Sequence, residues 1–343
     1  LFLGTASMTH LLYISQDGER PSGITTYGWH TLRARADAHM LLLNAQSPPP
    51  AAPPEIHARI HCVAEGESHD VQAVARHLRT LTDAMPGEIA VLPNTGDTPW
   101  NATVEWLRGM RPADRARFRV LGILHSDVET QYAGAVRHAT FAAAWLGVSR
   151  RCAAELVRLL AGKVPAAAIY ELPYPMPVPP TAATPNLSGP LRLVYAGRLE
   201  EPQKRVLRLA AVLDSLARRG LEFAASVVGD GPARAEFAAA IERSAAAGRV
   251  SLIGALDPAA LAAVLEASDV FLLTSAYVGL PLALLEGMAA GGCPVVMRID
   301  SGLDAVLVHR ENGVIVDQGN VAAMTDVVEQ LARDRDQLEA LKC

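Results

Sequence analysis

The chain has 343 residues, 50% of them hydrophobic and 20% charged, with a formal net charge of -5. That is ordinary globular composition, long enough for about two domains, and it excludes a disordered or fibrous chain. Residues 1–190 carry 16 basic and 16 acidic groups and residues 191–343 carry 15 and 20, so neither half has the basic surplus of an electrostatic nucleic-acid binder.

The first ten residues, LFLGTASMTH, have neither the positive n-region nor the apolar h-region of a signal peptide, and Met8 is the expected natural start. A strand-like run at 10–15 begins the regular pattern. Short apolar runs at 11–14, 40–43, 89–92 and 120–124 then alternate with helical stretches such as 70–84 and 150–160, which predicts a parallel sheet flanked by helices. The segment PPPAAPP at 48–54 reads as a surface loop inside this domain.

Seven of the eighteen residues in 173–190 are proline, a density that neither a central strand nor a helix interior accepts, so a linker is expected there. It separates a domain at 1–172 from a second at 191–343. The second repeats the pattern, with strands expected at 191–196, 223–228, 249–253, 270–274 and 294–297. The fold class is therefore α/β: two Rossmann-like doubly wound domains, expected to face each other across a cleft, with ligands outside the carboxyl ends of the strands. The most apolar stretch, 270–285, is broken by Thr274, Ser275, Gly279 and Pro281 and is too short to span a membrane.

Several strand ends carry chemistry. After the strand at 191–196 come Gly197-Arg198-Leu199 and then Lys204-Arg205, at the start of a helix expected near Pro202. Cations beside free helix amides suit an anion such as a diphosphate, whereas surface pairing with Glu200 and Glu201 is the alternative. In 274–296, Pro281 as first helical residue would put Leu280 at the cap, where its side chain accepts nothing and leaves the amides for a ligand. Glu286 follows in apolar surroundings and needs a partner, either ribose hydroxyls or a neighbouring basic or backbone group. Residues 228–232, VGDGP, read as a turn with Pro232 suited to a first helical position.

In the first domain Ser22-Gly23-Ile24 opens a helix, but no GxGxxG is present, so a nicotinamide oxidoreductase loses its main support. His125-Ser126-Asp127 follows the strand at 120–124, where a histidine suits either a structural or a ligand-facing role. Arg108, Arg111, Arg115, Arg117 and Arg119 read as a solvated face partly balanced by Glu105 and Asp114, with loose attachment to the inner membrane face as the alternative. Cys62, Cys152, Cys293 and Cys343 lie far apart without CxxC or Cys/His spacing, which indicates neither a disulfide framework nor a zinc site and suits a reducing cytoplasm.

The ordered motifs YAGRLEEPQKR, VVGDGP, SLIGAL, DVFLLTSAYVGLPLALLEGMAAGGCPVV and ENGVIVDQGN resemble the donor-binding domain of the family 4 retaining glycosyltransferases, which have the GT-B fold. The resemblance covers about 191–320 and is weaker in the first domain, where it rests on Gly23, His125 and Val148-Ser149. It implies that Arg198 and Lys204 hold the donor diphosphate in place of a metal, so no metal and no cofactor is expected. It further implies that Glu286 binds the nucleotide ribose, that Gly279, Leu280, Pro281 and Leu282 hold sugar hydroxyls and a phosphate, that His125 sits by the transferred sugar, and that Gly23 belongs to a loop over the diphosphate.

The first glutamate of the family's E-x7-E signature falls on Val278, although some members accept other residues there. Relatives also finish with a helix crossing back to the first domain, whereas this chain stops at Cys343, so a short crossover or a truncated chain is expected. The resemblance implies a retaining glycosyltransferase that moves a sugar from a UDP- or GDP-sugar to a hydroxyl of a carbohydrate, glycolipid or small molecule, as in polysaccharide or glycoconjugate biosynthesis. The alternative is a catalytically impaired nucleotide-sugar-binding homologue or partner subunit. A sugar-nucleotide 2-epimerase would need acid and base residues that the sequence does not identify.

Overall fold

The computed structural model describes residues 10–16, 23–49, 52–94, 96–172, 174, 189–278, 281–299 and 302–342. They fall into two compact units, 1–175 and 176–343. Most of 173–190, together with Met8, Gly279, Leu280 and Cys343, lies outside the described residues.

The first unit holds strands β1 (His10–Ser15), β2 (Ala38–Leu43), β3 (Ile60–Val63), β4 (Ile89–Pro93), β5 (Phe118–Leu124), β6 (Ala144–Gly147) and β7 (Ile169–Glu171). They form a sheet of order β3-β2-β1-β4-β5-β6-β7 in which every pair is parallel. Strands such as β4 are buried along their whole length, as expected of a parallel sheet covered on both faces, and this is why they read as apolar runs. Three strands leave weaker sequence signals. IHCV is half-buried at two positions, AWLG is four residues long, and IYE is a half-exposed edge strand of three.

The proline-rich segment at 48–54 is more than a surface loop. Pro49 and Ala52 are buried, and Pro54 starts the turn Pro54–Arg59 that buries Ile56. Arg59 at its end donates to the carbonyls of Leu32, Arg35 and Ala38, closing the end of the helix Gly23–Ala34.

The second unit holds β8 (Leu191–Ala196), β9 (Phe223–Val228), β10 (Val250–Gly254), β11 (Val270–Leu273), β12 (Cys293–Met297) and β13 (Val314–Val316), in the order β10-β9-β8-β11-β12-β13 and again parallel. Alternate residues of one strand feed two cores. Leu191, Leu193 and Tyr195 join one apolar cluster, while Val194 and Ala196 join another with Phe271 and Leu273. The last described helix, Arg335–Ala340, puts Leu338 into the same core as Leu191, so the end of the chain is packed within this unit. Among the described residues no helix is long and apolar enough to cross a membrane.

Strand order reverses between β1 and β4 in one sheet and between β8 and β11 in the other. At such a switch point successive crossovers leave to opposite faces, and a crevice opens at the carboxyl ends of the two central strands.

A fully buried carboxylate, Asp269, ties the opposite end of the second sheet. It accepts from the Arg192 amide at 2.9 Å and from the Arg192 guanidinium at 2.7 and 3.1 Å, with Lys342 at 3.7 Å and Arg335 at 4.0 Å. Removing one member of such a group strands the remaining buried charge. Asp269→Ala is expected to destabilise the chain by about 3–5 kcal/mol, seen as a lower urea midpoint, whereas Asp214→Ala on the exposed Asp214–Arg218 pair changes it by about 1 kcal/mol or less.

Candidate functional site

The loop after β8 is built by close backbone contact. A Cβ at Gly229 would run into the Gly197 carbonyl, and one at Gly231 into the Leu199 backbone. The Leu199 amide instead donates to Asp230 at 2.9 Å, and the Ala233 amide to Leu199 at 2.9 Å. The VGDGP turn is therefore a brace for the loop that carries Arg198. Pro232 stands two residues before the helix Arg234–Glu242, a correction to its expected place as first helical residue.

The following helix begins at Val206, not near Pro202. The difference arises at Arg205, held in the left-handed region at φ 52° and ψ 47°, which no helix start by composition alone would reveal. Such a conformation persists only where its surroundings fix it. Here the Thr274 hydroxyl donates to the Lys204 carbonyl at 3.0 Å and the Ala276 amide to the Gln203 carbonyl at 2.7 Å. The loops after β8 and β11 are thus tied across the switch point. Glu201 accepts the Leu207 amide at 2.6 Å and so satisfies one of the first-turn donors.

Arg198 is 61% exposed and its guanidinium lies 3.4 Å from the Glu200 carboxylate, which is only 14% exposed. Burial pushes the Lys204 ammonium below its usual pKa and the Arg198 charge adds to the shift, while Glu200 opposes it. Two cations and one shielded carboxylate therefore share this corner. Glu200 entered the sequence reading only as a surface partner, because burial of an acidic residue in a charged segment leaves no mark in the sequence.

After β11, Pro281 is the cap of the helix Leu282–Ala289 and not its first residue. The functional consequence is unchanged, since no side chain caps this end and proline offers none. Leu284 and Leu285 donate to the Pro281 carbonyl, and the helix begins at Leu282. Gly287 lets the helix lie against the Phe271 ring on β11, and Glu286, the residue before it, is half-buried. Val278 packs on the apolar cluster that contains Leu273 and Leu284. Arg198 and Lys204 thus stand on the loop after β8, and Pro281 and Leu282 open the helix after β11 that carries Glu286, whereas Gly279 and Leu280 fall outside the described residues.

In the first unit His125 follows β5 and is 2% exposed. Its Nε2 is 3.2 Å from the Tyr13 hydroxyl and its Nδ1 is 3.1 Å from the Tyr174 hydroxyl, with the Tyr174 ring stacked on the imidazole and Tyr27 at its edge. Burial lowers its pKa to about 3, so the ring is neutral. The sequence reading missed this tyrosine shell. Tyr13 sits in an apolar strand and Tyr174 in a proline-rich segment, neither of which flags a side chain packed around a distant histidine.

Gly23 is exposed at the first residue of its helix, and the Ile24 carbonyl accepts from the Tyr13 hydroxyl at 3.2 Å. Ser149 caps the helix Arg150–Leu159 by accepting the Cys152 amide. Asp127 accepts from Tyr132 at 2.7 Å and pairs with Arg151 at 2.5 Å. Of the arginine cluster, Arg111 pairs with Asp114, while Arg117 and Arg119 donate to backbone carbonyls. Arg108, Arg111, Arg115 and Arg119 are exposed, as expected of a solvated face, whereas Arg117 is half-buried and donates to the Thr82 and Met85 carbonyls beneath it.

Residues 190–334 match the family described as Glycosyl transferases group 1. The amylovoran biosynthesis glycosyltransferase AmsK of Erwinia amylovora is 28% identical over 153 residues, covering 43% of this chain and 37% of that protein. The 2-deoxystreptamine glucosyltransferase of Streptomyces kanamyceticus is 30% identical over 150 residues, covering 44% and 38%. The matched stretch thus spans less than two fifths of either relative. Among solved structures, Anabaena Alr3699/HepE in complex with UDP and glucose superposes with a TM-score of 0.75 over 98% of this chain and 92% of that one, at 17% identity. The fold is that of the GT-B glycosyltransferases.

Two outcomes follow from the charges. The His125 pKa is depressed, so below the ~6.5 of free imidazole the unfolded chain binds more protons than the folded one. Stability is present above that pH and falls as pH drops, by at most about 1.4 kcal/mol per pH unit, until the folded value of about 3 is reached. Denaturant titrations from pH 7 to 4 check this, and His125→Gln removes its share of the slope. Glu200→Gln takes a negative charge from beside the two cations, and at ~1 kcal/mol for a near charge in a solvated setting it should raise inorganic pyrophosphate affinity about fivefold at low salt by calorimetry.

Proposed function

We propose, from the match of residues 190–334 to the glycosyl transferases group 1 family, that the chain is a retaining glycosyltransferase that moves a sugar from a UDP- or GDP-sugar to an acceptor hydroxyl without a metal ion. The observation that carries this reading is the meeting of Arg198, Lys204 and the uncapped helix start at Leu282 on two loops tied by Thr274 and Ala276. Cations and free amides at a switch point suit a diphosphate.

When the bond from the anomeric carbon to the phosphate oxygen breaks, negative charge builds on the leaving diphosphate. Arg198, Lys204 and the helix amides stabilise it more than they stabilise the intact donor, and this difference lowers the barrier. The acceptor oxygen attacks the same face through an oxocarbenium-like state, and its proton passes to the departing phosphate oxygen. Glu286 accepts from the ribose hydroxyls. His125, with a pKa of about 3, is too weak a base for neutral pH and instead positions the sugar, its reach running through the Tyr13 and Tyr174 hydroxyls that it holds.

Carbohydrates, glycolipids and small molecules are the acceptor classes, and a cytoplasmic setting fits the free thiols of Cys62 and Cys152. The UDP and glucose bound by the Anabaena protein make UDP-glucose the first donor to try.

The test is a panel of UDP- and GDP-sugars in the presence of EDTA, following release of nucleoside diphosphate. Release from one donor is expected, with Arg198→Ala and Lys204→Ala each lowering the rate by about 10²–10³ and Glu286→Ala raising the donor KM. Full activity in all three variants would remove the site assignment. A product of inverted anomeric configuration by NMR would remove the retaining mechanism, and donor binding without turnover would favour a partner subunit.

A further inference from the structure

At the opposite edge of the first sheet three histidines stand on neighbouring strands. Leu12 on β1 pairs with His39 on β2, and Leu41 on β2 pairs with His61 on β3. His10 is two residues before Leu12 and His39 two before Leu41, so the alternation of side chains puts all three on one face in a diagonal row. It is the face of Leu12, Leu41 and Val63, at the margin of the first unit's core. All three rings are half-buried and stay within reach of small solutes.

The His39 Nδ1 and His61 Nε2 atoms are hydrogen-bonded to each other at 3.4 Å, with the rings stacked at 28°, so an ion held between them would take the place of the shared proton. Two nitrogen ligands on a tetrahedral zinc ion, each at 2.0–2.1 Å from the metal, are separated by about 3.3 Å. The imidazole pair thus already has the bite of that ion. His10 lies next in the row, its ring 5.9 Å from that of His39 and its Nδ1 buried with no hydrogen-bond partner among the described residues. Of the neighbouring charges, Asp37 is held by Arg35, while Arg59, whose donors go to three backbone carbonyls, keeps a positive charge that acts on His39 and that a bound cation would have to overcome.

We propose that His39 and His61 chelate a divalent transition ion, zinc foremost, whose remaining positions are filled by water. No three ligating side chains among the described residues converge on one point, so the site is a two-imidazole one. The bound ion would cross-link β2 to the edge strand β3. It lies at the amino ends of the strands, away from the carboxyl ends that carry His125, and is independent of the proposed transfer reaction.

The experiment uses the full chain, stripped with EDTA and dialysed, and titrated with zinc chloride in a calorimeter and in a thermal unfolding assay. One zinc per chain and a raised unfolding midpoint are expected. His39→Gln and His61→Gln should each weaken binding by about tenfold or more and remove the midpoint rise, because one imidazole alone holds the ion poorly. His77→Gln, at the exposed His77–Glu67 pair, should leave both unchanged. Zinc binding that persists in the His39 and His61 variants overturns the proposal, as does the absence of binding. Should neither variant fold, copper(II) titrated into the unaltered chain decides: its electron paramagnetic resonance spectrum must show coupling to two imidazole nitrogens, and coupling to none or one overturns it.

Discussion

The two hydrogen bonds from the β11 loop to the Gln203 and Lys204 carbonyls hold the second unit's candidate site together. They fix Arg205 in a left-handed conformation that an arginine seldom adopts, and this bend turns the chain from the strand end into the helix Val206–Arg218. Without it the chain would run straight into a helix and Lys204 would face elsewhere. The glycines at 229 and 231 act to the same end from the other side, by letting the β9 turn press on the backbone beside Arg198. A cationic corner is thereby specified mainly by backbone contacts, and its side chains remain available for an anion.

Burial disfavours the charged form of a base at both strand-end regions, and the neighbours decide how far. Lys204 loses some of its preference for the charged form, but Glu200 supports that form and Arg198 adds a charge that nothing buries. His125 has no such carboxylate, and the tyrosine shell around it drives the ring fully to neutrality. One corner is suited to meeting negative charge, the other to fixing a hydrogen-bond pattern. A reaction whose leaving group is a diphosphate needs the first property where the charge develops and the second where a neutral sugar is oriented.

The sequence is legible wherever one physical requirement dominates. Continuous apolar runs reveal the central strands because both faces are covered, and Gly197-Arg198 or Pro281 to Glu286 stand out because polar groups follow such runs. Legibility fails where tertiary contact overrides local preference. The helix expected near Pro202 starts at Val206 because of Arg205, the edge strands at 60–63 and 169–171 have only half-buried patterns, Tyr174 is buried against His125, far away in the sequence, and Glu200 is shielded within a charged loop. The His39–His61 row was invisible for a further reason: its spacing exists only in the strand register.

The same reasoning bears on Val278, where the E-x7-E pattern lacks its first carboxylate. This side chain packs against the apolar cluster under the β11 loop, next to exposed Tyr277 and before the cap at Pro281. A glutamate in this packing would have to desolvate its carboxylate or leave the cluster, and either change would disturb the loop that donates to Gln203 and Lys204. Valine keeps that loop anchored by apolar contact alone. The departure from the pattern thus coincides with apolar anchoring at the point where the Arg205 turn is fixed, and the placement of Arg198 and Lys204 does not depend on the carboxylate that is missing.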